Sequence, residues 1–281
     1  MIIINNFKSL NSQLSTVKSL QKMIGFIPTM GALHSGHASL IKRSKEISDL
    51  TICSIFVNPL QFNNREDYIK YPITIEKDIS LLKELECDIL FLPSEEEVYP
   101  DESSKNKHYE LGYLENILEG KFRPGHFQGV CLVVERLLTI VHPDLLFLGQ
   151  KDFQQCLVIE KLIEIMGTDI KVFRCPTLRE ESGLAKSSRN LRLSESALII
   201  AAELYKTLLF ISQKSKDHSF SKLQKDSIEH LERKGFKIEY IALANAGNLQ
   251  LEDDFKSGEE QVILIAAYLN EIRLIDNLII S

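Results

Sequence analysis

The chain lacks several features that define specialised protein classes. Its 281 residues include no tryptophan, only 13 glycines and eight prolines, and five cysteines. The low glycine and proline content argues against a fibrous or disordered chain. The cysteines, at positions 53, 87, 131, 156 and 175, form no CxxC pair. An odd number without such pairs disfavours a disulfide framework or a zinc cluster and predicts reduced, mostly buried thiols.

The chain also lacks an excess of basic charge and a long apolar run. Acidic residues (39) outnumber basic ones (33), and the net charge of −6 disfavours a broad nucleic-acid interface, although it is compatible with one anion pocket. The first ten residues contain no basic stretch and no small-residue cleavage site, and no apolar run approaches the roughly 20 residues of a membrane helix. We expect a cytoplasmic protein, or an organellar one after processing, that binds neither membrane nor nucleic acid.

Strand-like and helix-like segments alternate through the first two thirds of the chain. Apolar runs suited to buried parallel strands lie at residues 24–28, 51–57, 88–92, 144–148 and 170–174. Helical patterns lie between them, at residues 36–48, 74–86, 127–141 and 152–166. This alternation predicts an α/β fold with a Rossmann-like, doubly wound parallel sheet, in which ligands bind at the carboxyl ends of the strands.

The last third has a different pattern. The polar segment 176–191 shows no clear period and is typical of a mobile loop at a domain boundary. Helical patterns at 194–213 and 219–234 then precede strand-like runs at 237–244, 261–269 and 272–279. We therefore predict two domains, residues 1–176 and 177–281, of which the second is a smaller α+β lid domain.

The string PTMGALHSGH, residues 28–37, follows the first strong strand and enters a helix. Small residues allow a ligand to approach closely, and free backbone N–H groups at a helix start favour phosphate. His34 and His37 can face the same anion and stabilise charge that builds on it during phosphate transfer. Metal binding (for which no third ligand is near), surface histidines at a helix start and turn-forming glycines are alternatives.

Three other segments have suitable chemistry for an ATP and hydroxy-acid site. In FVNPLQF, the amides of Asn58 and Gln61 suit a hydroxy acid, although they also fit an exposed turn. In GQKDFQQ, residues 149–155, a lysine suits phosphate and an aspartate suits ribose or Mg²⁺, with a solvated helix cap as the alternative. In LREESGLAKSSRN, residues 178–190, two serines and Arg189 suit a phosphate clamp on a closing loop, with a solvated linker as the alternative. A fourth segment, EGKFRPGHFQG at 119–129, predicts a tight supporting loop before a helix.

These five segments, in their order along the chain, resemble the signature of the pantoate–beta-alanine ligase family. This family carries the HxGH motif of a nucleotidyltransferase superfamily. The resemblance covers most of residues 24–192. It implies ATP-dependent condensation of (R)-pantoate with beta-alanine to pantothenate, AMP and pyrophosphate through a pantoyl adenylate, in pantothenate and coenzyme A biosynthesis. It also implies Mg²⁺ as cofactor, a homodimer, and a counterpart of the KMSKS loop of aminoacyl-tRNA synthetases at 178–190.

The resemblance implies the following roles. The catalytic residues would be His34, His37 and Lys151. ATP would be bound by Met30, Gly31, Ala32, Leu33, His34, Ser35, Gly36, His37, Gly149, Gln150, Lys151, Asp152, Leu178, Lys186, Ser187, Ser188 and Arg189. Pantoate would be bound by Asn58, Gln61 and Gln155.

The chain departs from the family pattern at four of these motif positions. Gln150, Leu178, Ser182 and Lys186 stand where the family usually has Glu, Val, Asp and Met. Gln150 removes one negative charge near the nucleotide, and Lys186 either adds a phosphate contact or points to solvent. Two rival functions share parts of the pattern: an adenylyltransferase of another cofactor pathway, which would need only HxGH, and a non-enzymatic nucleotide-binding module.

Overall fold

The structure, a computed structural model, describes residues 1–102 and 105–281 with their side chains. The chain forms two compact units. The N-terminal unit comprises residues 1–150 and 155–176, and the C-terminal unit comprises residues 151–154 and 177–281. Among the described residues, no helix is long and apolar enough to cross a membrane.

The N-terminal unit is built on a parallel sheet. Six strands lie within its described residues, in the order β1-β4-β3-β2-β5-β6: β1 Ile2–Ile4, β2 Ile24–Thr29, β3 Leu50–Ile55, β4 Ile89–Phe91, β5 Leu145–Gly149 and β6 Lys171–Cys175. The strand order reverses between β2 and β5, which pair in parallel through Gly25 and Leu145. The carboxyl ends of β2 and β5 therefore flank the topological switch point, where open α/β sheets bind ligands.

Helices connect these strands. They are α1 Phe7–Ser19, α2 Ser35–Ile47, α3 Arg65–Ile69, α4 Ile75–Glu84, α5 Glu95–Val98, α6 Leu118–Phe122, α7 His126–Val141 and α8 Phe153–Met166. A core cluster that includes Ile27, Ile41 and Leu82 packs α2 and α4 against the sheet. Because β2 is buried along nearly its whole length, its sequence is continuously apolar instead of alternating.

The cysteines lie inside the protein as reduced thiols. All five belong to the described part of the chain, and each is free and buried. Burial raises the pKa of Cys87 to about 11 and that of Cys131 to about 12, so both thiols stay protonated at neutral pH. This confirms the prediction of buried, reduced cysteines.

The C-terminal unit is an α+β structure. Residues 177–281, all of them described, contain α9 Glu195–Ala201, α10 Glu203–Lys214 and α11 Phe220–Arg233, and the strands β7 Phe236–Asn245, β8 Leu251–Glu252, β9 Gln261–Leu269 and β10 Ile272–Ile280. The antiparallel sheet has the order β10-β9-β7-β8, so β10 is an edge strand. Apolar residues of α10 and α11, such as Leu208 and Leu231, pack against one face of this sheet.

The predicted fold class is confirmed, and the differences concern short elements. The strand β1 was not predicted, because it has only three residues and two of them are exposed. The predicted helix at 194–213 is divided at Ala202 into α9 and α10. The two-residue strand β8 is too short to show a sequence period.

Candidate active site

Two imidazoles lie side by side where β2 leads into α2. His34 is the N-cap residue, and its Nδ1 accepts a hydrogen bond from the backbone N–H of Gly36 at 3.1 Å. His37 Nδ1 accepts from the backbone N–H of His34 at 3.3 Å, which forms a reciprocal capping box. The ring centroids are 4.2 Å apart. In the neutral form, each ring therefore carries its proton on Nε2, so each imidazole has an Nε2–H donor.

A buried aspartate holds the backbone of this loop. Asp78 in α4 is 1% exposed, and its carboxylate accepts from the N–H of Ala32 at 2.9 Å and the N–H of Leu33 at 2.8 Å. Thr74 Oγ1 donates to the same carboxylate at 3.0 Å. Ala32 has a φ of 49°, in the left-handed region that costs a residue with a Cβ roughly 1 kcal/mol. The charge-assisted hydrogen bonds to Asp78 offset this strain.

The loop differs in one respect from the expectation that its backbone N–H groups are free for phosphate. The N–H groups of Ala32, Leu33, His34 and Gly36 all donate to side chains within the N-terminal unit. The physical reason is that a buried loop must satisfy its own backbone donors. These four donors are therefore engaged before any ligand binds.

The amide of Asn58 is buried and makes four hydrogen bonds inside the N-terminal unit. Its Oδ1 accepts from the Tyr99 phenol at 3.0 Å and from the backbone N–H two residues on at 3.3 Å. Its Nδ2 donates to the Gly129 carbonyl at 3.0 Å and to Gln61 Oε1 at 3.3 Å. Burial raises the pKa of Tyr99, which keeps the phenol protonated as a donor. Asn58 thus orients the half-buried Gln61, whose Nε2 lies 3.0 Å from Met30 Sδ.

The start of α7 contacts the loop that contains Leu60 and Gln61. The buried His126 ring forms a hydrogen bond through Nδ1 with the Gln61 carbonyl at 2.8 Å. Gly129 lies so close to this loop that a Cβ there would be 2.3 Å from the Leu60 carbonyl oxygen. The segment 119–129 therefore has the supporting role that its sequence predicts.

The segment after β5 is divided between the two units. Gly149 and Gln150 belong to the N-terminal unit, whereas residues 151–154 belong to the C-terminal unit. Lys151 Nζ lies 3.4 Å from Asp152 Oδ1, and the Lys151 carbonyl accepts from Asn277 Nδ2 at 2.9 Å. Gln155 is half-buried on α8 in the N-terminal unit. Within the described residues there is no cluster of three or more His, Cys, Asp or Glu side chains that suits a metal.

The loop 178–190 forms a short hairpin in the C-terminal unit. Arg179 and Ala185 make an antiparallel bridge, and Ser187 Oγ caps a short 3₁₀ turn by accepting from the N–H of Arg189 at 3.3 Å. Lys186 Nζ lies 2.6 Å from Glu180 Oε2. Ser187, Ser188 and Arg189 thus follow shortly after the bridge of the hairpin, and Lys186 forms an ion pair within the loop.

Comparisons with known proteins place the chain in one family. The sequence model of a family described as Pantoate-beta-alanine ligase matches residues 2–279. The chain is 44% identical to the pantothenate synthetase of Cytophaga hutchinsonii over 100% of this chain and 99% of that protein. It is 40% identical to the pantothenate synthetase of Bacteroides fragilis over 99% of this chain and 98% of that protein.

The chain belongs to the pantoate–beta-alanine ligase family. A crystal structure of pantothenate synthetase from Thermus thermophilus is similar to it with a TM-score of 0.90 and 38% identity, over 99% of both chains. A pantoate–beta-alanine ligase from Francisella tularensis, described as a complex with beta-gamma ATP and beta-alanine, is similar with a TM-score of 0.83 and 40% identity, over 99% of this chain and 97% of that one. The protein is thus an acid–amine ligase of pantothenate biosynthesis that condenses pantoate with beta-alanine at the expense of ATP.

Three buried anchoring residues of this ligase were not predicted: Asp78, Tyr99 and Asp276, whose carboxylate accepts hydrogen bonds from the Arg179 guanidinium. Asp78 occupies the apolar stripe of α4, three residues after Ile75 and four before Leu82. Asp276 occupies the apolar register of β10, two residues after Leu274 and two before Leu278. A charged residue at an apolar position of a helix or strand indicates a buried residue with hydrogen-bond or ion-pair partners, because a charge is buried only when it is paired. Tyr99 gives no comparable signal.

Proposed function

We propose that the ligase works in two steps. The pantoate carboxylate attacks the α-phosphorus of ATP, the bond from that phosphorus to the α,β-bridging oxygen breaks, and pyrophosphate leaves with the electron pair of this bond, which yields pantoyl adenylate. The amine of beta-alanine then attacks the carbonyl carbon of this mixed anhydride, loses a proton, and expels AMP. The task of the protein is to position the reactants and to neutralise charge. The observation that carries this proposal is the adjacent pair of imidazoles at the start of α2, both of which accept a backbone hydrogen bond at Nδ1.

In the N-terminal unit, we assign His34 and His37 to the phosphates. Their Nε2–H groups are suited to the charge that develops on the departing pyrophosphate. The remaining residues of this loop would line the nucleotide by close approach: Met30, Gly31, Ala32, Leu33, Ser35 and Gly36, together with Gly149 and Gln150 after β5. Gln61 and Gln155 would orient pantoate, and Asn58 would act on pantoate mainly through Gln61, because its own amide is engaged.

In the C-terminal unit, we assign Lys151, Ser187, Ser188 and Arg189 to the phosphates, with Lys151 as a catalytic cation. Asp152 would bind ribose hydroxyls or Mg²⁺, the backbone at Leu178 would contact adenine, and Lys186 would reach ATP only after leaving Glu180.

Magnesium fits the donors of this segment. Mg²⁺ is usually held by one or two carboxylates and by substrate phosphates, so Asp152 together with ATP is a sufficient set of ligands. When bound, the ion would neutralise charge on the β- and γ-phosphates. The same proposal includes a cytoplasmic location and a homodimer. It also includes two domains, of which residues 1–176 would bind the substrates and residues 177–281 would form a lid.

The decisive experiment is a coupled assay of AMP release in which pantoate, beta-alanine and ATP are each omitted in turn. The proposed function requires all three for AMP release and requires only pantoate and ATP for pyrophosphate release. Formation of a dinucleotide product would instead show an adenylyltransferase. ATP binding without pyrophosphate release upon addition of pantoate would show a nucleotide-binding module.

A further inference from the structure

Two adjacent residues of β10 contact both phosphate-binding segments of the C-terminal unit. Asp276 and Asn277 are 4% and 3% exposed and lie next to each other on the edge strand of the antiparallel sheet. Asp276 accepts from the Arg179 guanidinium at 2.6 and 3.0 Å. Asn277 Nδ2 donates to the Lys151 carbonyl at 2.9 Å. Two segments that lie well apart in the sequence are therefore attached to neighbouring positions of one strand.

The geometry of a strand explains why two adjacent residues serve two segments. Successive side chains point to opposite faces of a sheet. Asp276 is in the register of Leu274 and Leu278, which face the helices, whereas Asn277 is in the register of Arg273 on the opposite face. The edge position leaves the Asn277 carbonyl accessible, and it accepts from Arg179 at 3.3 Å. One strand can therefore hold one segment on each face.

Arg179 connects Asp276 to the rest of the hairpin 178–190. Its guanidinium donates to the Gly183 carbonyl at 3.1 Å and lies 3.6 Å from the centroid of the Tyr205 ring. Gly183 has a φ of 91°, and a Cβ there would be 2.6 Å from Tyr205, so the turn of the hairpin fits closely against this ring. The residues assigned to the phosphates begin shortly after the Arg179–Ala185 bridge.

We propose that Asp276 and Asn277 are positioning residues for ATP, which keep Lys151 and the Ser187–Arg189 turn at a fixed spacing by binding their segments to one strand. This inference rests on the proposed roles of Lys151 and the 187–189 turn. In this proposal Asp276 acts through the guanidinium of Arg179, and Asn277 acts through the backbone of Lys151.

The strand provides a matched control. Arg273 on β10 forms an ion pair with Glu239 at 2.7 Å, and both side chains are about as buried as Arg179. This pair joins β10 to β7. Arg273→Gln therefore removes a comparable ion pair from the same strand and measures the effect of a general loss of stability.

The test compares Asp276→Asn, Asn277→Ser and Arg273→Gln in the coupled AMP assay, together with their melting temperatures and the Kd of a non-hydrolysable ATP analogue from calorimetry. We expect Asp276→Asn to raise the KM for ATP and the Kd of the analogue at least tenfold, and Asn277→Ser to raise both about fivefold. The KM for pantoate should change less than twofold in both variants. Arg273→Gln should lower the melting temperature but leave both KM values within twofold.

A double variant shows whether Asp276 acts through Arg179. Because both residues serve one contact, Arg179→Gln combined with Asp276→Asn should bind the analogue no more weakly than the worse single variant. An unchanged analogue Kd in Asp276→Asn, or equal losses for ATP and pantoate, overturns the proposal. If Asp276→Asn does not fold, Asn277→Ser decides the question by the same criteria. Wild-type protein that binds the analogue but makes no pantoate-dependent AMP refutes the proposed function alone.

Discussion

Two of the segments that carry candidate ATP residues, the loop 30–34 and the hairpin 178–190, are anchored in different ways, although each depends on a buried aspartate. Asp78 binds the backbone of the loop 30–34, through the N–H groups of Ala32 and Leu33. Asp276 binds a side chain, the guanidinium of Arg179, which in turn donates to the Gly183 carbonyl of the hairpin 178–190. Backbone anchoring acts on the loop directly, whereas side-chain anchoring acts through the guanidinium of one residue. Asp78 thus holds the residues next to His34 directly, and Asp276 acts on the Ser187–Arg189 turn only through Arg179.

The largest effect is expected at the loop that carries His34 and His37. His37→Ala removes a donor aimed at developing charge and should lower turnover by about 10²–10³. It also removes the capping-box acceptor for the His34 N–H, so the free energy of unfolding should fall by about 1 kcal/mol or less. Stopped-flow measurement of pyrophosphate release and chemical denaturation check the two parts.

A second variant separates the imidazole from the cap. His37→Gln keeps an acceptor at the third helical position and should restore most of the stability, because glutamine serves this position in capping boxes. Its turnover should stay well below the wild-type value. Near-normal adenylate formation in His37→Ala would exclude the proposed role of this ring.

The next effect concerns the anchor of the first loop. Asp78→Ala leaves the N–H groups of Ala32 and Leu33 without their acceptor and should reduce the free energy of unfolding by on the order of 3 kcal/mol. Thr74→Ala is the matched control, since it removes only the hydroxyl bond to the same carboxylate and should cost about 1 kcal/mol. Urea denaturation measures both. Equal losses in the two variants would show that Asp78 does not anchor the backbone.

A smaller effect separates acid binding from nucleotide binding. Gln155→Ala should weaken pantoate binding by about five- to tenfold, as expected for one neutral hydrogen bond of about 1 kcal/mol, and should leave ATP binding nearly unchanged. Gln213→Ala, at an exposed glutamine of α10, is the control. Calorimetry with each ligand measures the two affinities, and equal losses for both ligands would contradict the assignment of Gln155 to pantoate.

The smallest effect is expected at Lys186 of the hairpin 178–190. Lys186→Met introduces the usual family residue and removes the 2.6 Å pair with Glu180, which is partly exposed. Because such exposed pairs contribute about 0–1 kcal/mol, stability should change little, and the KM for ATP should rise less than about fivefold. Initial-rate kinetics over a range of ATP concentrations provide the check. A rise of about 100-fold would mean that Lys186 contributes as much as a catalytic cation.

Elements with a strong local period were predictable, and elements held by distant partners were not. The strands β2 to β6 and the helices α2, α4, α7 and α8 follow from apolar runs and amphipathic spacing, with differences of a few residues at their ends. The short strand β1 has no such period and exists because Ile2–Ile4 pairs with β4. The histidine loop was predicted as a site, but its internal hydrogen bonds to Asp78 were not.

The amino-acid sequence by itself determined the fold class and the family and supplied the residues proposed for ATP and pantoate, because these depend on short motifs and on periods of two to four residues. Only the tertiary structure decided which groups hold those residues in place. Asp78 lies 46 residues from Ala32, Asp276 lies 97 residues from Arg179, and Asn277 lies 126 residues from Lys151. Contacts over such separations form only when the packed sheets bring the segments together, so no local pattern along the chain could reveal them.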